Sequence, residues 1–293
     1  MSNIEKLTYI NPRGESIAFS HASVFFAENF TELNTVRNTI QAISSAGQDG
    51  ETDIASKRDS GDIGISGGIN ETEPDKIRKY RRQFCRILVP KQRGTLVYEY
   101  GDFKRIIDCR VQEADVFKAR EIYTDFMVAF YCPYPFWREE HETRTDVAAW
   151  IGGFEFPEPD GLEIPEDGME FGYREPSLIV PVYNSGYIET GMRIVFRAIG
   201  SVTNPSVLNV NTQQYMKLNM EMEAGDVITV NTGFNKKGIT LTRSGVTSNI
   251  FRKRAAGWTW LQLAPGDTLI RYDADANIDN LEVTIYHDNF SGV

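Results

Sequence analysis

Several clusters in this chain hold residue types that could do chemistry. Asp273-x-Asp275-x-Asn277-x-Asp279 spaces oxygen-bearing side chains as a calcium loop does, because Ca²⁺ takes many oxygen ligands. A loop of that type has Gly at its sixth position and Glu at its twelfth. Here Ile278 and Thr284 stand there, so a solvated hairpin turn is the expectation. Glu139, Glu140 and Glu142 supply carboxylates for a glycosidase acid and nucleophile. Neighbours on a strand point to opposite faces, however, and such acids usually converge from separate segments. Trp258 and Trp260 share a face if 258–263 is a strand. Exposed, their flat rings would stack on sugars; buried, they are core. Cys85, Cys109 and Cys132 stand far apart, and His21, His141 and His287 are isolated. None has zinc-ligand spacing. Nucleophile-elbow, phosphate-loop and dinucleotide patterns are missing. No catalytic, cofactor or metal site is expected.

Charge narrows the classes further. The chain has 293 residues and a net charge of −10. That balance argues against sequence-independent nucleic-acid binding, which needs cationic surface. It suits a soluble surface, or one past which DNA slides. One local exception is the segment 73–90, where Lys76, Arg78, Lys79, Arg81, Arg82 and Arg86 cluster. Those cations have three possible destinations: DNA, acidic residues of a neighbouring subunit, or solvent. No apolar run approaches the ~20 residues of a membrane helix. The first residues lack a secretory signal, so synthesis and function without export are expected. The cysteines read as free, mostly buried thiols of a reducing compartment.

The elements that must position these groups are mainly β. Leu7–Ile10 and Ser16–Phe19 flank the turn Asn11-Pro12-Arg13-Gly14. Ser44–Gly61 is poor in large apolar residues and reads as an exposed loop. Glu73–Pro90 carries Ile77, Tyr80, Phe84, Ile87 and Leu88 on one stripe, which predicts the one long helix. A hairpin follows, with Thr95–Tyr100 and Phe103–Val111 flanking Gly101-Asp102, and Ile122–Cys132 is a further strand. Ala148–Glu175, rich in Gly, Pro and acids, reads as a domain boundary. After it, Met192, Ile194 and Phe196 alternate with Arg193, Val195 and Arg197, the period of a half-buried strand. Asn204-Pro205-Ser206 makes a turn, with Pro205 pushing Asn204 out of the helical region. Turn signals every 10–12 residues or so predict a β-sandwich over 176–293.

An ordered set of these pieces resembles the distal tail proteins of long-tailed phages (siphophages and their prophages). In the first half they are Asn11-x-x-Gly14 with Ile17 and Phe19, Arg93-Gly94-Thr95-Leu96, Arg105-x-Ile107-x-Cys109 and Cys132-Pro133-Tyr134-Pro135-Phe136-Trp137. In the second half they are Asn184-x-Gly186, Asn204-Pro205, Asn209-x-Asn211-Thr212, Gly225-Asp226-x-Ile228, Pro265-Gly266-Asp267 and the terminal Gly292-Val293. Asp59–Ile65 departs from the family by carrying acids in a strand expected to be basic and apolar. The resemblance implies a mainly β chain of two domains joined by a linker. Residues 1–150 would be a ring-forming β domain with a helix and a belt-like hairpin, residues 151–175 the linker, and residues 176–293 a galectin-like β-sandwich. It implies a structural, non-enzymatic hub at the virion tail tip, assembled in the host cytoplasm. Its partners would be five further copies in a hexameric ring, the major tail tube protein, and tip proteins such as a tail-associated lysin or baseplate components. DNA would pass through without specific binding, and no membrane is involved. Arg78, Arg82 and Arg86 are then candidate subunit or lumen contacts. Trp258 and Trp260 are candidate glycan contacts if the protein is instead an adhesion module.

Overall fold

Two short alternating sequences set the first core. In β1 (Lys6–Ile10) Leu7 and Tyr9 point inward, and in β2 (Ser16–Ser20) Ile17 and Phe19 do. The turn between them closes because Asn11 Oδ1 accepts the N–H groups of Arg13 and Glu15, each at 3.0 Å. Gly14 sits at φ 77°, where a side chain is strained. The computed structural model describes residues 4–33, 37–118, 124–148, 150–152, 172–174 and 179–292. The chain divides into two units, Met1–Glu140 with Ser291–Val293, and His141–Phe290.

In the first unit β3 (Phe25–Thr31) is followed by β4 (Asn38–Ile43) and β5 (Thr52–Arg58), which pair only with each other. Then come β6 (Gly61–Ile69), the helix α1 (Pro74–Ile87), β7 (Arg93–Tyr100), β8 (Phe103–Lys118), β9 (Thr124–Cys132) and β10 (Trp137–Arg138). The main sheet runs β8-β7-β1-β2-β3-β6-β9, and β9 pairs back onto β8. Seven strands therefore close into a barrel, which leaves its main sheet few free edges. Phe126, Val128 and Phe130 of β9 and Ile63 and Ile65 of β6 fill it. Helix α1 begins at Pro74, whose missing N–H costs nothing in a first turn. It lays Phe84 against Phe126, ring centroids 5.5 Å apart, and Tyr80 against Phe25 at 6.0 Å. The acid-bearing segment of Asp59–Ile65 enters β6 and pairs with β9.

The second unit contains β11 (Thr143–Ala148), β12 (Trp150–Gly152), β13 (Gly172–Arg174), β14 (Ile179–Asn184), β15 (Thr190–Ala198), β16 (Val202–Thr203), β17 (Ser206–Asn209), β18 (Gln214–Lys217), β19 (Glu221–Met222), β20 (Val227–Asn231), β21 (Gly238–Arg243), β22 (Val246–Asn249), β23 (Gln262–Leu263), β24 (Gly266–Asp273) and β25 (Leu281–His287). One sheet orders β11-β25-β15-β20-β21-β22, with β23 also on β15. The second orders β14-β24-β17-β18. Met192, Ile194, Phe196, Val283 and Ile285 from one sheet, and Val182, Val207, Ile270 and Tyr272 from the other, share a single buried cluster. That is a sandwich core. Most of the expected linker, 151–175, lies outside the described residues.

One local expectation changes and two gain detail. Ser44–Gly61 is not all loop, because Thr52–Arg58 pairs with Asn38–Ile43 in register. The backbone needs no apolar side chains to make that ladder, so composition hid it. Asn204 leaves the helical region for the left-handed one, φ 53°, and its amide donates to Asp275 at 2.8 Å. Asn tolerates that conformation through such bonds. Cys85 is exposed, while Cys109 and Cys132 are buried. Burial pushes the Cys132 thiol up to about 12 and the Cys109 thiol higher still. Alkylation of the native protein should therefore modify Cys85 in minutes and spare the other two until denaturant is added, as read by peptide mass.

The sandwich also carries an acid-sensitive clasp. Asp226 is 1 % exposed and accepts from Arg243 Nε at 2.9 Å and from the Glu223 N–H at 2.8 Å. The Arg243 guanidinium holds the Asp226 carboxyl below the usual carboxylate range. A depressed folded value stabilises the fold above the unfolded pKa, near 4, and that contribution fades as pH falls towards the folded value. The unfolding temperature is therefore expected to drop on acidification below about pH 4. In Arg243→Leu the carboxylate is stranded, so the variant melts lower at pH 7 and the gap to wild type narrows at pH 3. Calorimetry across that range reads both.

Candidate assembly surfaces

Among the described residues the β4–β5 hairpin pairs with no further strand, and at its base Arg58 lies 4.2 Å over the Phe136 ring. Every described residue from 37 to 57 is exposed. Its strands nevertheless hold Ile40, Ile43 and Ile54 at 64 %, 55 % and 57 % exposure. Isoleucine favours strands but gains nothing from water on both sides. At the tip, Asp49, Glu51 and Asp53 have no ion pair among the described residues, whereas at the base Arg37 reaches Asp62 at 3.6 Å. The result is an extended, partly apolar arm with an acidic end.

Helix α1 turns its apolar stripe to the barrel and so must present its cations outward. Arg78, Lys79, Arg82 and Arg86, with Asp75 and Gln83, line an open depression of about 380 Å³. Arg78 pairs with Asp75 at 3.3 Å, and Arg86 with Glu15 at 3.1 Å. Lys79 and Arg82 have no carboxylate partner among the described residues. The three candidate arginines thus lie together on one exposed helix face.

The remaining candidates are occupied by their own chain. Trp258 and Trp260 are not on a strand, because Gly257 at φ 78° turns the chain and the Thr259 N–H goes to the Tyr215 carbonyl at 3.0 Å. The two rings meet edge to face, centroids 5.5 Å apart, and both pack against the sandwich core. Phe251 lies 5.9 Å from Trp260. They form no coplanar platform. Glu140 pairs with Lys104 at 2.8 Å, Glu139 with Arg105 at 3.7 Å, and Glu142 with Arg193. In the calcium-like loop, Asp275 takes Lys217 at 2.6 Å and Asn204 at 2.8 Å, while Asp273 takes Arg271 at 3.2 Å. These carboxylates are spent on cations and on turn geometry. Ile40 and Ile43 join Ile54, the one large apolar residue of 44–61, and their signal in the sequence is three isoleucines and two threonines, residues that favour strands, within a polar stretch.

Comparison with known proteins agrees with this architecture. Residues 13–132 match the phage tail protein RIFT-related domain family, and residues 185–289 match the family of the C-terminal domain of siphovirus-type tail components. No curated protein matches the chain in sequence. Among solved structures, it is similar to the distal tail protein Dit of phage SPP1, described as a paradigm of the hub adsorption apparatus in phages infecting Gram-positive bacteria. That match has a TM-score of 0.68 and 14 % identity, covering 97 % of this chain and 98 % of the other. A chain of the phage P2 baseplate, in its activated conformation with calcium, matches at 0.54 and 12 %, covering 99 % and 98 %. The corresponding strontium structure matches at 0.53 and 11 %, covering 98 % of both. With both characteristic domains in order on one chain, and the Dit fold from end to end, the protein belongs to the siphophage distal tail protein family.

Proposed function

We propose that six copies of this chain close into a ring at the virion tail tip, joining the tail tube to the tip or baseplate and leaving a central passage for DNA. The observation that carries this is the exposed β4–β5 arm, with more than half of each of Ile40, Ile43 and Ile54 in water, on a chain of this family. An exposed strand edge with apolar side chains is a template for a partner. A contact between unlike patches on identical subunits closes a ring when its rotation divides the circle. The first unit supplies those contacts, and the sandwich docks tip proteins. The role is structural rather than catalytic, since the candidate acids are paired with cations. A net charge of −10 limits adhesion to passing DNA. Assembly takes place in the host cytoplasm, with the major tail tube protein and tip components as partners.

Gold-labelled antibody against the sandwich, applied to intact virions, should decorate the tip end of the tail alone. Label along the tube or on the capsid would sink the hub reading. A glycan-adhesion role would instead place the tryptophans at the sugar. Trp258→Ala is expected to destabilise the sandwich by about 2–3 kcal/mol, less than the loss of a fully buried Trp, and to leave binding of virions to host cells unchanged. Lost attachment with unchanged stability would favour the adhesion module.

A further inference from the structure

The arm and the helix face are complementary. We propose that the acidic tip of the β4–β5 arm, Asp49, Glu51 and Asp53, docks on the basic face of α1, Arg78, Lys79 and Arg82, of a second copy of this chain. The inference rests on the ring reading and assigns its donor and acceptor surfaces.

Three observations point to that occupant. The tip acids carry no cation partner among the described residues, and the arm that holds them is exposed along both strands. The helix face is the converse case. Arg78, Lys79 and Arg82 are exposed around one depression, where Asp75 is the one carboxylate among the lining residues. A chain of net charge −10 that concentrates cations in one place finds their complement on copies of itself. The arm also has reach. Strands of six and seven residues extend about 20 Å. Its isoleucines stand behind the acidic tip, so charge would set the register while apolar burial holds the contact. Each copy then offers one arm and accepts one, the head-to-tail arrangement that a closed ring requires.

Charge reversal tests this. A tip variant (D49K/E51K/D53K) and a face variant (R78E/K79E/R82E) each alter only exposed side chains, so their melting should stay within a few degrees of wild type. Each alone sets like charges against one another and should raise the dissociation constant at least about a hundredfold, abolishing rings in mass photometry. Mixed in equal amounts, the two variants should reassemble. The reversed tip fits the reversed face and the native tip fits the native face, so the copies alternate around a ring of even number. The sextuple variant should assemble alone. Rings formed by either single-surface variant at wild-type concentration would overturn the docking, as would a mixture that stays dissociated. So would a face variant that assembles normally but no longer retains duplex DNA, which would assign the face to nucleic acid. A wild-type chain that forms no ring overturns the ring reading first, and is seen before any variant is made.

Discussion

The Ile40→Ser, Ile43→Ser, Ile54→Ser triple variant is expected to fold normally and to lose self-association. Each isoleucine is more than half exposed in the isolated chain, so replacing it removes little from the fold. Surface changes of this kind cost about 0.5 kcal/mol or less. In a subunit contact the exposed part of each side chain is buried, worth roughly 1–2 kcal/mol apiece at ~25 cal/mol per Å². Three of them supply about 3–6 kcal/mol per contact, roughly two to four powers of ten in its dissociation constant. Sedimentation should show monomer at concentrations where wild type is assembled, with superimposable thermal melts. A triple variant that assembles like wild type would remove the arm from the ring contact. One that unfolds would show that the arm packs on its own subunit.

The second large effect concerns two adjacent glycines in β6. A Cβ placed on Gly67 would lie 1.9 Å from the carbonyl oxygen of Phe26 and 3.0 Å from the Ala27 Cα. Both are backbone atoms of β3, at the place where the β3–β6 register shifts between Ala27 and Asn29. No rotamer relieves that clash, so the strands must part at a seam of the barrel. Gly67→Ala is expected to cost more than about 3 kcal/mol, beyond the usual range for overpacking. That is a large share of a domain's 5–15 kcal/mol. A Cβ on Gly68 meets nothing closer than 3.5 Å, so Gly68→Ala should stay within about 1 kcal/mol of wild type. Denaturant midpoints of the two variants read the contrast directly. Equal losses would mean that β6 is destabilised by side chains as such, not by the close approach of β3. Gly191, whose Cβ would lie 2.4 Å from the Cα of Gly233, imposes the same restriction on the sandwich.

These two cases also mark what could be read from the residues. Alternation placed Met192, Ile194 and Phe196 inward, and all three are buried in β15. The stripe of Tyr80, Phe84 and Ile87 placed α1 and its cationic outer face. Both signals are local, because a strand or helix with one apolar side declares its period. Barrel closure was not legible. It depends on β9 pairing with both β6 and β8, a non-local choice that no spacing encodes. The resemblance implied a belt-like hairpin, but the second strand of the arm, Thr52–Arg58, was hidden for the opposite reason. Its ladder is made by backbone groups, and its isoleucines are scattered among Thr, Gln, Ser and Asp, so polar composition resembled a loop. Trp258 and Trp260 misled through the assumption of a strand, which Gly257 breaks. The near-misses at Asp273–Asp279 and Glu139–Glu142 show acids whose partners, Lys217, Lys104 and Arg193, come from distant segments.

The proposed ring requires this chain to assemble with itself. Purified wild-type protein, measured by native mass spectrometry and imaged by electron microscopy, tests it most directly. Six chains of 33.2 kDa give about 200 kDa, and the particles should be hollow rings. A species that stays at the monomer mass at high concentration, and forms no ring even with tail tube protein present, would contradict the account.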